Sequence, residues 1–224
     1  MIGRKREGIG VDNMVTGPLR DIDIRRALVP MLKKQHADES GTLILDELGI
    51  SSHTARIDIA VLNGIFAGYE IKSDVDSLAR LEQQSATYDL VLDEVTIVTG
   101  PRYAESVSQH TPKHWGIMIA CINDNSVQLK VRRKPKKKPA KAYDKRALCM
   151  MLWREELVTI LKSYEAYKGL SARPKGALWD RLCEVATLAE IQEVVRETIK
   201  ARGDWRSARP SGSCDDSRRQ PAIA

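Results

Sequence analysis

Between Arg56 and Lys72 the chain holds two apolar runs, Arg56–Leu62 and Ile65–Lys72, around an Asn63-Gly64 pair. Runs of this kind punctuated by Asn-Gly are the pattern of a β-hairpin. Each run carries a carboxylate in its interior: Asp58 in Arg-Ile-Asp-Ile-Ala-Val-Leu, and Glu70 in Tyr-Glu-Ile-Lys. A charge inside so apolar a strand is expensive unless it is paired or bound to a metal. The hairpin must therefore bring its charges together rather than bury them singly. Glu70 and Lys72 are two apart and project from one face. Whether Asp58 joins them depends on register. A two-residue turn at Asn63-Gly64 pairs Leu62 with Ile65 and turns Glu70 away from Asp58, because a one-residue shift reverses every side chain. A three-residue loop, or a bulge near Gly68, sets Asp58 across from Glu70. One of these is expected if the two acids share a site.

Around the hairpin the periodicities predict an α/β fold with a mixed central sheet flanked by helices. Ile22–Gln35 is an amphipathic helix crossed by Pro30, and Thr42–Leu48 is a strand. Ser77–Leu92 is a helix with a stripe of Leu78, Leu81, Ser85, Tyr88 and Leu92, capped by Asp76 or Ser77. Glu94–Thr99 is a strand, a short helix follows, Trp115–Ile122 is a buried strand, and Val127–Val131 is an edge strand. The α/β domain spans residues 21–131, between a mobile stretch 1–20 and a basic linker 132–142. An all-α module follows over 143–205, with helices at Leu148–Tyr167, Pro174–Ala186, and from the capping box Thr187-x-x-Glu190 to Gly203. Residues 206–224 read as a disordered tail.

Charge is distributed unevenly. The net is +6, yet residues 21–129 hold 9 Lys and Arg against 16 Asp and Glu. Residues 130–141 hold 8 basic residues and no acid. A solvated run of Pro and Lys suits an extended linker that also attracts phosphate, through Arg132, Arg133, Lys134, Lys136, Lys137 and Lys138. The longest apolar stretch, Trp115–Ile122, is far short of the ~20 residues that span a bilayer. The first residues lack the apolar core of a secretory signal. Four scattered cysteines without a Cys-x-x-Cys pair argue against structural zinc and suit a reducing cytoplasm.

Asp58, Glu70 and Lys72 together resemble the core of the PD-(D/E)XK nucleases, the restriction-endonuclease-like superfamily. Gln84-Ser-Ala-Thr-Tyr88, on the helix after the motif, is similar to the QxxxY signature of that superfamily's RecB and lambda-exonuclease branch. The resemblance covers residues 21–122 and implies a Mg²⁺-dependent deoxyribonuclease, with Mn²⁺ as a substitute. It implies that Asp58, Glu70 and the Ile71 carbonyl bind the metal, and that Lys72 positions the attacking water. Gln84 and Tyr88 would orient the strand. Glu47 is chosen over Asp46 and Glu39 as an upstream acid, and Arg56 either pairs across the hairpin or contacts phosphate. DNA is the implied partner, in processing, repair or conflict with mobile elements. Leu161-Lys162, Gly169-Leu170, Lys175, Leu178 and Arg181-Leu182 are similar to SAP-type DNA-binding modules. The same helices are alternatively a packing or homodimer surface.

The rival reading keeps the fold and drops the chemistry. It is a non-catalytic nucleic-acid-binding or regulatory protein, in which Asp58, Glu70 and Lys72 form a structural ion cluster.

Overall fold

The computed structural model describes residues 17–51 and 55–202. Strand β2 (Ala55–Leu62) pairs antiparallel with β3 (Phe66–Lys72), and Leu62 stands opposite Phe66. The hairpin closes through the three residues Asn63–Ile65. Asn63 clasps it: its N–H donates to the Ile65 carbonyl at 3.1 Å, and its Oδ1 accepts the Ile65 N–H at 3.0 Å. The longer loop is thus the option realised. Its register sets Ile59 against Tyr69, so one step further Asp58 comes level with Glu70. The ladder ends there, and Asp58 Oδ2 takes up the Ile71 N–H at 2.7 Å. A side chain supplies the acceptor that a continued strand would have offered.

The six strands lie in sequence order. β1 (Leu43–Ile50) is antiparallel to β2. β4 (Glu94–Thr99) is parallel to both β3 and β5 (Gly116–Asn123), and β6 (Ser126–Arg133) returns antiparallel along β5. The parallel centre is covered on both faces, as parallel strands require. On one face α1 (Asp21–Gln35) lays Ile24, Leu28 and Leu32, four residues apart, over Ile59, Val61, Val98 and Met118. Pro30 lies within α1. On the other face α2 (Leu81–Asp89), α3 (Lys145–Cys149), α4 (Arg154–Ser163), α5 (Lys175–Val185) and α6 (Leu188–Ala201) contribute to one core. One apolar core runs from Leu62, Phe66 and Trp115 through Tyr88 to Leu148, Leu161 and Val195. No helix among the described residues is long and apolar enough to cross a membrane.

Several elements differ in extent from the periodic pattern. α2 begins at Leu81, because Asp76 and Ser77 serve the preceding turn. Asp76 accepts the Ser73 N–H at 2.9 Å and the Ser73 hydroxyl at 2.6 Å, and Ser77 Oγ accepts the Ala79 N–H at 3.2 Å. The helix expected over Leu148–Tyr167 is two, α3 and α4. Glu156 restarts the chain by accepting the Trp153 N–H at 2.7 Å. The Thr187 box forms as expected: Glu190 Oε2 accepts the Thr187 N–H at 2.7 Å, and Thr187 Oγ1 accepts the Glu190 N–H at 3.3 Å. Two 3₁₀ turns, Pro101–Tyr103 and Val107–Gln109, replace the short helix after β4. Strand β6 continues through Arg132 and Arg133. The readings for residues 1–16, His53, Gly203 and the tail 206–224 lie outside the described residues.

Gly68 in β3 is where a side chain would collide with the core. A Cβ there would stand 2.6 Å from Leu92 Cδ1 and 3.0 Å from Ile57 Cγ1. Gly68→Val is expected to destabilise the protein by about 1–3 kcal/mol through overpacking. In a thermal melt that is a fall of about 2–4 °C per kcal/mol.

Candidate functional site

The open end of the hairpin and the first turns of α2 enclose a cleft of about 520 Å³. Asp58, Glu70, Ile71, Lys72, Arg56 and Gln84 all line it, so the fold brings these predicted residues together. Glu70 is 2% exposed and is held on both oxygens. Lys72 Nζ donates to Oε1 at 2.6 Å, and Gln84 Nε2 donates to the same oxygen at 2.9 Å. The Tyr88 hydroxyl lies 2.8 Å from Oε2 and 2.6 Å from the Arg56 carbonyl, and donates to one of them at a time. Burial and the charge of Glu70 push the Tyr88 phenol far above its ordinary range, so it remains a donor. Gln84 and Tyr88 reach one carboxylate because i and i+4 share a helix face.

Asp58 sits beside this group, with its side chain 25% exposed. Burial pushes its carboxyl up to about 7, the nearby Glu70 charge adds to the rise, and the Ile71 N–H opposes it. Arg25 on α1 closes the other side. Its guanidinium lies 3.7 Å from Asp58 Oδ1 and donates to the Asp58 carbonyl at 3.0 Å, to Asp46 at 3.2 Å and to Asp21 at 3.1 Å. Arg25 and Asp21 are functional neighbours that the sequence reading missed. The signal was their i, i+4 spacing on α1. Gln83 and Thr87 of α2 also line the cleft, with Arg80 at the residue just before the helix. Arg80 is exposed and has no acidic partner among the described residues.

The remaining predicted residues stand elsewhere. Glu47 has φ +54, is half exposed, and lies 3.5 Å from Arg56 NH1 without lining the cleft. The basic run contributes no lining residue. Arg132 reaches the Ala104 carbonyl, and Arg133 donates to the Trp115 carbonyl at 2.6 Å and the Pro112 carbonyl at 2.9 Å. Lys138 is buried, donates to the Asp89 carbonyl, and lies 4.0 Å over the Tyr143 ring. Lys134, Lys136 and Lys137 are exposed. Among the described residues no group of three His, Cys, Asp or Glu side chains converges on a metal position. The cleft lining includes the carboxylate residues Asp21, Asp58, Glu70 and Asp76, and Gln84 Oε1 is buried without a hydrogen-bond partner.

These features define an α/β protein with a charged cleft at a split hairpin and a helical layer sharing its core. The family model described as bacteriophage P4 protein cII matches residues 16–209, and the chain belongs to that family. Protein cII of Enterobacteria phage P4 is 30% identical over 184 residues, which is 82% of this chain and 68% of the phage protein. No solved structure matches.

The family membership corrects the expectation of a PD-(D/E)XK nuclease, and with it the expected Mg²⁺-dependent deoxyribonuclease and hydrolase activity. It also spans the sheet and the helical layer together, where the nuclease and SAP resemblances divided them. The physical reason for the misreading lies in Glu70. A carboxylate buried in a sheet recruits a lysine, an amide and a phenol to satisfy it, whatever the protein does. Those partners reproduce the spacing of a short catalytic motif.

The folded-state value of about 7 for Asp58 lies above the ordinary 3.8. The folded protein therefore holds this proton more tightly than the unfolded chain. The resulting stabilisation is complete below about pH 4 and is lost as pH rises through 7. Lowering the pH from 8 to 6 is expected to recover about 1 kcal/mol from this group. Urea titrations at the two pH values should show the gain in wild type and its absence in Asp58→Asn.

Proposed function

We propose that this chain is a non-catalytic nucleic-acid-binding regulatory protein of bacteriophage type, acting on DNA in the host cytoplasm. Its sheet serves as a binding scaffold on a restriction-endonuclease-like layout. The observation that carries the reading is the state of Glu70. Both of its oxygens are committed to Lys72, Gln84 and Tyr88, while Arg56 and Arg80 stand at the mouth of the same cleft. In this reading Lys72, Gln84 and Tyr88 hold Glu70 in place, and Glu47 orients Arg56. The two arginines contact phosphate, as guanidinium groups favour. Lys134, Lys136 and Lys137 add sequence-independent attraction that the acidic sheet domain lacks. Mg²⁺, or Mn²⁺ in its place, is the proposed cation for Asp58 and the Ile71 carbonyl, beside the already committed Glu70. When bound it would offset the two carboxylates and supply charge for a phosphate oxygen. A homodimer through the C-terminal helices is a further part of the proposal.

The test is fluorescence anisotropy with labelled DNA across a salt series. Arg56→Ala/Arg80→Ala is expected to lower affinity about ten-fold at 0.1 M salt, and to flatten the log–log salt slope by about two phosphate contacts. An unchanged slope would remove the cleft from the interface. Metal-dependent scission of plasmid DNA, abolished by Asp58→Ala, would overturn the non-catalytic reading.

A further inference from the structure

A second cavity, of about 580 Å³, opens on the other flank of α2, and the proposed function leaves it unused. Glu82, Ser85, Tyr103, Ser106, Gln109 and His110 are among its lining residues. Helix α2 is the wall between the two spaces. Gln83 and Thr87 of the helix face the first, as does Arg80 just before it, and Glu82 and Ser85 face the second. The chemistry of the two differs. The first carries Arg56, Lys72 and Arg80, whereas no lysine or arginine lines the second.

The second cavity's polar groups are those that read a base edge. Tyr103 has its hydroxyl anchored to the Asp76 carbonyl, Ser85 donates to the Glu82 carbonyl at 2.7 Å, and Thr111, also on the wall, donates to the Val107 carbonyl at 3.0 Å. These bonds hold the wall in shape. Glu82 and Gln109 are different. Neither side chain has an ion pair or hydrogen bond within the protein among the described residues, and both are exposed to the cavity. A carboxylate here repels phosphate and accepts from an amine. A primary amide pairs in two-point fashion with the N6 and N7 edge of adenine. Together they leave both N6 hydrogens of an adenine with an acceptor. A thymine would set its O4 carbonyl against the Glu82 carboxylate.

We propose that this cavity receives one unstacked adenine of a single-stranded DNA segment whose phosphates lie on the Arg56 and Arg80 side of α2. The proposal rests on the nucleic-acid reading of the first cleft and adds the strandedness and a base preference to it. A base inside a duplex cannot enter such a cavity, whereas an unpaired one is free to turn its edge inward and stack on a ring. Tyr103 supplies the ring, and Arg102 lies 5.1 Å from its centroid.

The experiment uses the full chain and labelled thymidine oligonucleotides with one central adenine, cytosine, thymine or abasic position. The adenine probe is expected to bind about ten-fold more tightly than the abasic one, a margin within the range of a single stacked base. Cytosine, which carries an amine but no N7, should fall between adenine and thymine. Gln109→Ala is expected to erase the adenine preference and leave abasic affinity unchanged, and Glu82→Ala to narrow the margin of adenine over thymine. Thermal melts of both variants check that they are folded. Equal binding of all four probes, with Arg56→Ala/Arg80→Ala still weakening them, would overturn the base pocket and leave the proposed function standing. Binding insensitive to both sets of substitutions would overturn the two together.

Discussion

A carboxylate buried in a β-sheet must be neutralised where it stands, and Glu70 imposes that requirement on everything around it. With 2% of its surface exposed, it cannot turn to water. Lys72 comes to it along the same strand, and Gln84 and Tyr88 come from one face of α2. The helix is therefore pinned across the end of the hairpin by polar bonds as well as by its apolar stripe. Such a cluster is tolerable in a low-dielectric interior only when complete, since each missing partner would leave a charge or a donor stranded. Asp58 adds a second carboxylate beside it, tied to the Ile71 N–H from the other strand, and Arg25 brings α1 to the same point. Elements from both faces of the sheet meet at one polar centre.

A second polar hub joins the helical layer to the sheet. Asp93 accepts the Phe66 N–H at 2.7 Å on one oxygen and the Tyr143 hydroxyl at 2.7 Å on the other, with Arg196 of α6 at 3.8 Å. Lys138 adds its bond to the Asp89 carbonyl. The basic run thus divides by role. Arg133 and Lys138 are spent on main-chain carbonyls and tie the strap to the domain, while Lys134, Lys136 and Lys137 keep their charge outward. Burial lowers the Lys138 ammonium to about 8, the cost of taking it out of water. A count of positive charge along the chain therefore overstates what is available to a partner.

Much of the fold was legible in local pattern. The four-residue spacing of Ile24, Leu28 and Leu32, the near-continuous apolar run of β4, and the Thr187 box each acts within a few residues. The start of α2 was not legible, because Asp76 and Ser77 have equal claims to a cap and to a turn. The break between α3 and α4 was hidden by continuous apolar periodicity across it. Of the site, Asp58, Glu70 and Lys72 were singled out by the expense of burying charge, and Gln84 and Tyr88 by a motif resemblance and their i, i+4 spacing on one helix face. Arg25, Asp21 and Arg80 were not, since an arginine or an acid on an amphipathic helix carries no mark of the strand it will meet. The family itself lay beyond a handful of side chains whose grouping has a purely structural cause.

By itself, the sequence determined that Asp58 and Glu70 would need partners, that β2 and β3 would form a hairpin, that Glu70 and Lys72 would share a strand face, and that Gln84 and Tyr88 would share a helix face. These follow from the periods of strand and helix and from the cost of desolvating charge. Tertiary structure alone decided the register. Asn63 clasps a three-residue loop instead of the two-residue turn that Asn-Gly also permits, and that single residue sets Asp58 level with Glu70. It also decided which cations remain exposed and that α2 separates a cleft holding Arg56, Lys72 and Arg80 from one with no lysine or arginine in its lining. These depend on contacts between segments far apart in the chain, and no local pattern encodes them.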